Sequence, residues 1–111
     1  MQRELKKYLF DVLTSIENIE QFVGTNNDFE SFSGNLMLQH AVERNLEIIG
    51  EAVNNILKLY PDIQITDARR IVDTRNKIIH SYDNVHPEQI WNIIINHLSA
   101  LKRDTQTLLG G

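Results

Sequence analysis

The chain of 111 residues has no cysteine, two prolines and five glycines, and aromatic residues make up 7 % of it. Without thiols there is no disulfide framework, no zinc–thiolate centre and no cysteine nucleophile, which suits a reducing compartment. No stretch approaches about 18 consecutive apolar residues, so no membrane-spanning helix is expected. The opening "MQRELKKYLFDVL" carries charges through its first turns rather than the apolar run of a secretion signal. A cytoplasmic location is therefore expected. There is no glycine-rich phosphate loop, and His40, His80, His86 and His97 form no pair four residues apart. Neither a metal site nor a cofactor is expected.

What is present is modest in amount and unevenly spread. An apolar share of 41 % is enough for one core, so residues 1–111 are expected to form a single domain, small enough to profit from a partner subunit. The formal charge is −4, but residues 1–57 carry a net −5 and residues 58–80 a net +2. The basic segment holds Lys58, Arg69, Arg70, Arg75 and Lys77. Such a run is ordinarily a solvated helix face, and it is also where a phosphate could bind.

Helical periodicity dominates. Leu5, Leu9, Val12, Ile16, Ile19 and Val23 recur at three and four, predicting a helix over 3–23 that stops at Gly24. "TNNDFESFSGN" is a break in which Phe29 and Phe32 could pin a short helical turn to the core. A long helix follows from Leu36 to about Tyr60, closed by Pro61. Gly50 inside it costs roughly 1 kcal/mol relative to alanine, which suggests a close helix–helix contact. Thr66, with Asp67 behind it, is expected to start a third helix. Pro87 suits the first turn of a last one marked by Ile90, Trp91, Ile94, Leu98, Leu101 and Leu108. Nothing alternates at period two. The fold class is all-α, an antiparallel bundle of four main helices.

The third helix carries an anomaly. At about 100° per residue from Ile71, Ala68, Val72, Ile78, Ile79 and Tyr82 form an apolar stripe centred at roughly 40°, and Arg75 falls in its middle. A guanidinium cannot be neutralised there, and burying it unpaired costs several kcal/mol, so some anion must meet it. One candidate is an internal carboxylate, Glu43, Glu47 or Glu51. Another is the phosphate of a ligand. Asn76 and His80 lie on another face, one turn apart, with His80 about 140° from Arg75. Those two can serve one site if a second subunit closes the cleft or the helix distorts. Glu47 and Glu51, also a turn apart, read as a polar helix face.

Arg75, four residues, His80, one residue and Tyr82, with Asn76 directly after the arginine, resembles the signature of the HEPN superfamily, specifically its HepT-like ribonuclease toxins. The likeness covers nearly the whole chain, through "AVERNLEIIGEAV" (41–53) and "ARRIVDTRNKIIHSYDNVHPEQIW" (68–91). Asp73 and Thr74 depart from it, where relatives often carry smaller or apolar residues. The resemblance implies a HEPN-like bundle that forms a two-fold homodimer, with two copies of the motif in one cleft. It implies metal-independent cleavage of RNA and a neighbouring nucleotidyltransferase antitoxin (MntA-like) that adenylylates the motif tyrosine. Carried over, Arg75 and His80 are the catalytic pair, Asn76 a polar supporter with Lys77 beside it as an RNA contact, and Tyr82 the modified residue. The rival expectation is a non-catalytic HEPN subunit that docks on a nucleotidyltransferase. A third is a structural dimerisation domain with Arg75 in a salt bridge.

Overall fold

The computed structural model describes residues 2–24, 28–80 and 86–110, with the backbone alone described for His80. Helix α1 (Arg3–Val23) begins where the Gln2 side chain accepts the Leu5 N–H at 3.0 Å and ends at Gly24, whose φ of 60° suits glycine. Its buried face is the predicted stripe, Leu5 through Val23. Helix α2 (Phe29–Ser33) is a single turn and a half capped by Asp28. Helix α3 (Leu36–Leu59) is capped by Asn35, which accepts the Leu38 N–H at 3.0 Å, and stops before Pro61. Then come α4 (Ala68–His80), α5 (Pro87–Asn96) and α6 (Leu98–Gly110).

Helix α3 is the centre of the packing. Helix α1 lies along one side of it and α4 along another, while α6 returns against α1 and α2 bridges α3 and α5. The molecule measures 42 × 30 × 18 Å. Its thinnest dimension is less than two helix diameters of about 10–12 Å, so the helices form a slab about two deep. Leu9, Val12, Ile16 and Ile19 from α1 meet Val42, Ile49, Val53 and Ile56 from α3 in its interior. One polar link crosses that seam: Asn18 donates to the buried Asn45 at 3.2 Å, and Asn45 donates back to the Ala41 carbonyl at 2.9 Å. Phe32 is buried against Trp91, ring centroids 5.3 Å apart, so the short turn is pinned to the core as expected.

Two boundaries differ from the periodicity. The last helix is two helices, because the chain bends at His97 (φ −121°, ψ −28°). The bend keeps the backbone bonds on either side, His97 N–H to Ile93 and Leu101 N–H to His97. It lets Ile90 bury while Leu98 and Leu101 also face the core. The third helix starts at Ala68, not Thr66. Asp67 sits at φ 57°, a left-handed conformation that Asp tolerates, and its carbonyl accepts the Ile71 N–H. The Thr66 N–H is donated instead to Asp104 on α6 at 2.8 Å. Burial works to raise the Asp104 carboxyl, but the Thr66 hydrogen bonds and the nearby Arg103 outweigh it and hold it below the usual carboxylate range.

Candidate active site on helix α4

Helix α4 turns Val72 and Ile78 into the core, with Ile71, Ile79 and Arg75 half-buried between core and solvent. Arg75 reaches that position because α3 offers it a glycine. A Cβ at Gly50 would stand 2.2 Å from Arg75 Cβ and 2.7 Å from Arg75 Cγ. The aliphatic stem therefore lies against bare α3 backbone, as the cost of a mid-helix glycine suggests. The guanidinium continues outward, its side chain 25 % exposed, and meets Glu51 with Nη2 2.6 Å from Oε2. Nη1 donates to the Asn76 side chain at 3.1 Å. Nε is buried and has no hydrogen-bond partner among the described residues.

Of the three carboxylates that could meet Arg75, the partner is Glu51, itself 50 % exposed. Glu47 pairs instead with Arg44 at 3.2 Å. Burial raises the Glu43 carboxyl, partly opposed by His40 and reinforced by Glu47. Arg75 and Glu51 open onto a groove of about 290 Å³ between α1, α3 and α4, which Lys7, Tyr8, Arg44 and Asn55 also line. Each cation of this groove has a carboxylate: Lys7 with Asp11 at 3.1 Å, Arg44 with Glu47 and Arg75 with Glu51. The lining is thus neutral in sum. The Lys7 and Arg44 pairs are open to water and hold only about 0–1 kcal/mol each. Arg75 is three-quarters buried, so whatever displaces Glu51 must itself be an anion, and a phosphodiester matches the guanidinium fork.

The remaining motif residues are placed as follows. Asn76 is exposed and accepts from Arg75. Lys77 is exposed on the other flank of α4, facing α5 rather than Arg75. The His80 backbone closes α4, five residues beyond Arg75 and about 7.5 Å farther along the axis. Its side chain, and Tyr82 altogether, lie outside the described residues, so the sharing of one cleft by Arg75, His80 and Tyr82 is not part of this geometry. Lys7, Tyr8, Arg44 and Asn55 had no signal in the sequence, because periodicity assigns a residue to a face without naming the helix opposite. Among the described residues no three His, Asp or Glu side chains converge to hold a metal ion, and no helix is long and apolar enough to cross a membrane.

The fold and site define an all-helical protein with an arginine held at the floor of a polar cleft. The family described as Ribonuclease HepT-like matches residues 12–108. The protein named "Probable ribonuclease HepT" from Thermococcus cleftensis is 38 % identical over 106 residues, 92 % of this chain and 93 % of its own. "Putative RNase MJ0127" from Methanocaldococcus jannaschii is 35 % identical over 101 residues, covering 86 % and 78 %. "Putative RNase TTE0752" from Caldanaerobacter subterraneus is 33 % identical over 106 residues, covering 94 % and 93 %. No solved structure matches the chain. The chain belongs to the HepT-like ribonuclease family, within the HEPN superfamily.

Proposed function

We propose that this ribonuclease cleaves RNA without a metal ion, as a cytoplasmic two-fold homodimer of one-domain chains, and is the toxin of a toxin–antitoxin pair. The observation that carries the reading is Arg75: a permanent cation half-buried at a groove, with a solvent-accessible carboxylate as its exchangeable partner. RNA brings its own nucleophile. His80 takes the proton of the 2′-OH, whose oxygen forms a bond to phosphorus as the bond from phosphorus to the 5′-oxygen breaks. A second imidazole, His80 of the twin chain, returns a proton to the leaving 5′-oxygen. Arg75 donates to the phosphate oxygens as negative charge accumulates. Asn76 steadies the guanidinium, and Lys77 contacts the strand. The products are a 2′,3′-cyclic phosphate and a 5′-hydroxyl.

Regulation follows from Tyr82 in the same reading. A nucleotidyltransferase antitoxin that adenylylates it sets a phosphate and a bulky base near Arg75, where both compete with substrate. The test is cleavage of single-stranded RNA in the presence of a chelator by wild type and His80→Ala. Cyclic-phosphate ends from wild type alone are expected. A need for divalent metal, 5′-phosphate ends, or comparable cleavage of DNA refutes the mechanism. In cells, Tyr82→Phe is expected to stay toxic and escape the antitoxin, and neutralisation of that variant counts against the modification.

The Arg75–Glu51 ion pair is also what a non-catalytic subunit docking on a nucleotidyltransferase would carry, since an internally neutralised arginine needs no substrate. Equal growth of cells expressing wild type and His80→Ala, without the antitoxin, favours that reading.

A further inference from the structure

The two flanks of α4 differ in charge in a way the catalytic reading does not use. On the Arg75 flank every cation lining the groove is matched by a carboxylate. On the opposite flank, between α4 and α5, lies a second groove of about 320 Å³ lined by Arg70, Thr74, Lys77, Gln89, Asn92 and His97 over an apolar floor. None of the described residues that line it is acidic. Arg70 and Lys77 are exposed and make no ion pair among the described residues. The two cations lie two turns apart on this flank of α4, about 10.5 Å along its axis, over a lining that holds no carboxylate among the described residues.

The polar groups between them are mixed: the Thr74 hydroxyl donates to the Arg70 carbonyl at 2.9 Å and His97 faces Asp67 at 3.4 Å, while Gln89 and Asn92 bring side-chain amides. Asn92 Oδ1 accepts from Asn96 at 2.6 Å, which leaves the Asn92 amino group as the donor on this side chain. No Phe, Tyr or Trp lines this groove, and the imidazole in its lining, His97, faces Asp67. Cations and amide donors fit phosphate and sugar oxygens, contacts that position a strand without reading its sequence.

We propose that the α4–α5 groove holds the phosphate backbone of the RNA strand flanking the bond that is cut, so that the substrate crosses α4 from one groove to the other. This rests on the ribonuclease reading above and adds a second, sequence-indifferent contact surface to it. The crossing is short, a single helix about 10 Å wide, and Lys77 stands along it.

The experiment is equilibrium binding of the full chain to a fluorescent single-stranded RNA of mixed sequence, 2′-O-methylated to block cleavage, across a range of salt concentrations. Arg70→Gln is expected to weaken binding equally for several sequences and to make the slope of log K against log salt shallower by about 0.7. Asn92→Asp, which sets a negative charge in the groove without changing its size, is expected to weaken binding as well. Lys58→Gln removes the same charge from the exposed last turn of α3, outside both grooves, and is expected to bind as wild type does. Equal losses from Lys58→Gln and Arg70→Gln overturn the local contact in favour of long-range steering. Wild-type binding by Arg70→Gln, no binding by wild type, or displacement of the RNA by an acidic peptide as effectively as by unlabelled RNA overturns the proposal too, the last pointing to a protein partner. Cleavage of unmethylated RNA is read separately. Groove-dependent binding without cleavage sinks the ribonuclease mechanism alone, and cleavage with unaltered binding in the variants sinks the groove alone.

Discussion

Replacing Gly50 by alanine puts a methyl group where Arg75 already stands. The new Cβ would lie 2.2 Å from Arg75 Cβ, against about 3.5–4.0 Å for carbons in comfortable contact. Arg75 Cβ is fixed by the α4 backbone, so rotating the side chain cannot relieve this clash. Helix α4 must retreat from α3 by about 1.3 Å for the two carbons to reach about 3.5 Å. Alanine returns about 1 kcal/mol of helix propensity, while overpacking costs about 1–3 kcal/mol. The net is a loss of up to about 2 kcal/mol, each of which lowers Tm by roughly 4–8 °C in a domain of about this size. Activity should fall further than stability, because a misplacement of about 1 Å at a catalytic group costs roughly 10²-fold in rate. Urea denaturation and RNA cleavage would be measured together. Gly110→Ala serves as the control, since its Cβ would meet nothing within 4 Å. A Gly50→Ala protein with unchanged stability and unchanged cleavage would refute the close-approach account of this site.

Glu51→Gln removes the charge facing Arg75 but keeps an acceptor oxygen; with Arg75 only 25 % exposed, the stability loss should fall between the about 1 kcal/mol of an exposed pair and the about 3–5 kcal/mol of a buried one. KM for RNA is expected to fall, because the phosphate no longer competes with a carboxylate, and a raised KM in steady-state kinetics would contradict the exchange. Phe32→Ala empties a buried site against Trp91 and should cost about 3–5 kcal/mol in a chemical melt; a loss under about 1 kcal/mol would mean that α2 does not anchor the slab. The Glu43 carboxyl is raised by burial first, so the fold favours its protonated form. That stability is complete below the unfolded value of about 4.3 and disappears as pH climbs through the higher folded value. Glu43→Gln should therefore raise the urea midpoint at neutral pH relative to wild type and flatten its decline from acid to neutral, and an unchanged midpoint at neutral pH would oppose this.

Much of the fold is legible along the chain because its helices bury one face each. The stripe from Leu5 to Val23 delimits α1 at both ends, since Gly24 follows immediately and takes the positive φ that ends the helix. The same rule runs the last two helices together. Ile90, Leu98 and Leu101 keep helical spacing through His97, and no proline or glycine stands there to mark the bend. The start of α4 was blurred by a different cause. Thr66 has the chemistry of a cap, but its N–H is taken by Asp104, remote in sequence.

At the site the division is sharper. Spacing alone determined that a cation sits in the apolar stripe of α4 and needs an acceptor, and that Gly50 marks a close approach, because both follow from helical geometry within one element. Which acceptor, and what lies against the glycine, depended on how α3 and α4 are set against each other. Glu43, Glu47 and Glu51 recur at four-residue intervals on α3, so one-dimensional pattern cannot separate them. The bare backbone at Gly50 brings Arg75 Cβ against it, and the residue next to that contact is Glu51, which puts its carboxylate within 2.6 Å of the guanidinium. The neutral and the basic groove on either side of α4 have the same origin: helix packing, not composition, decides which charges share a cleft.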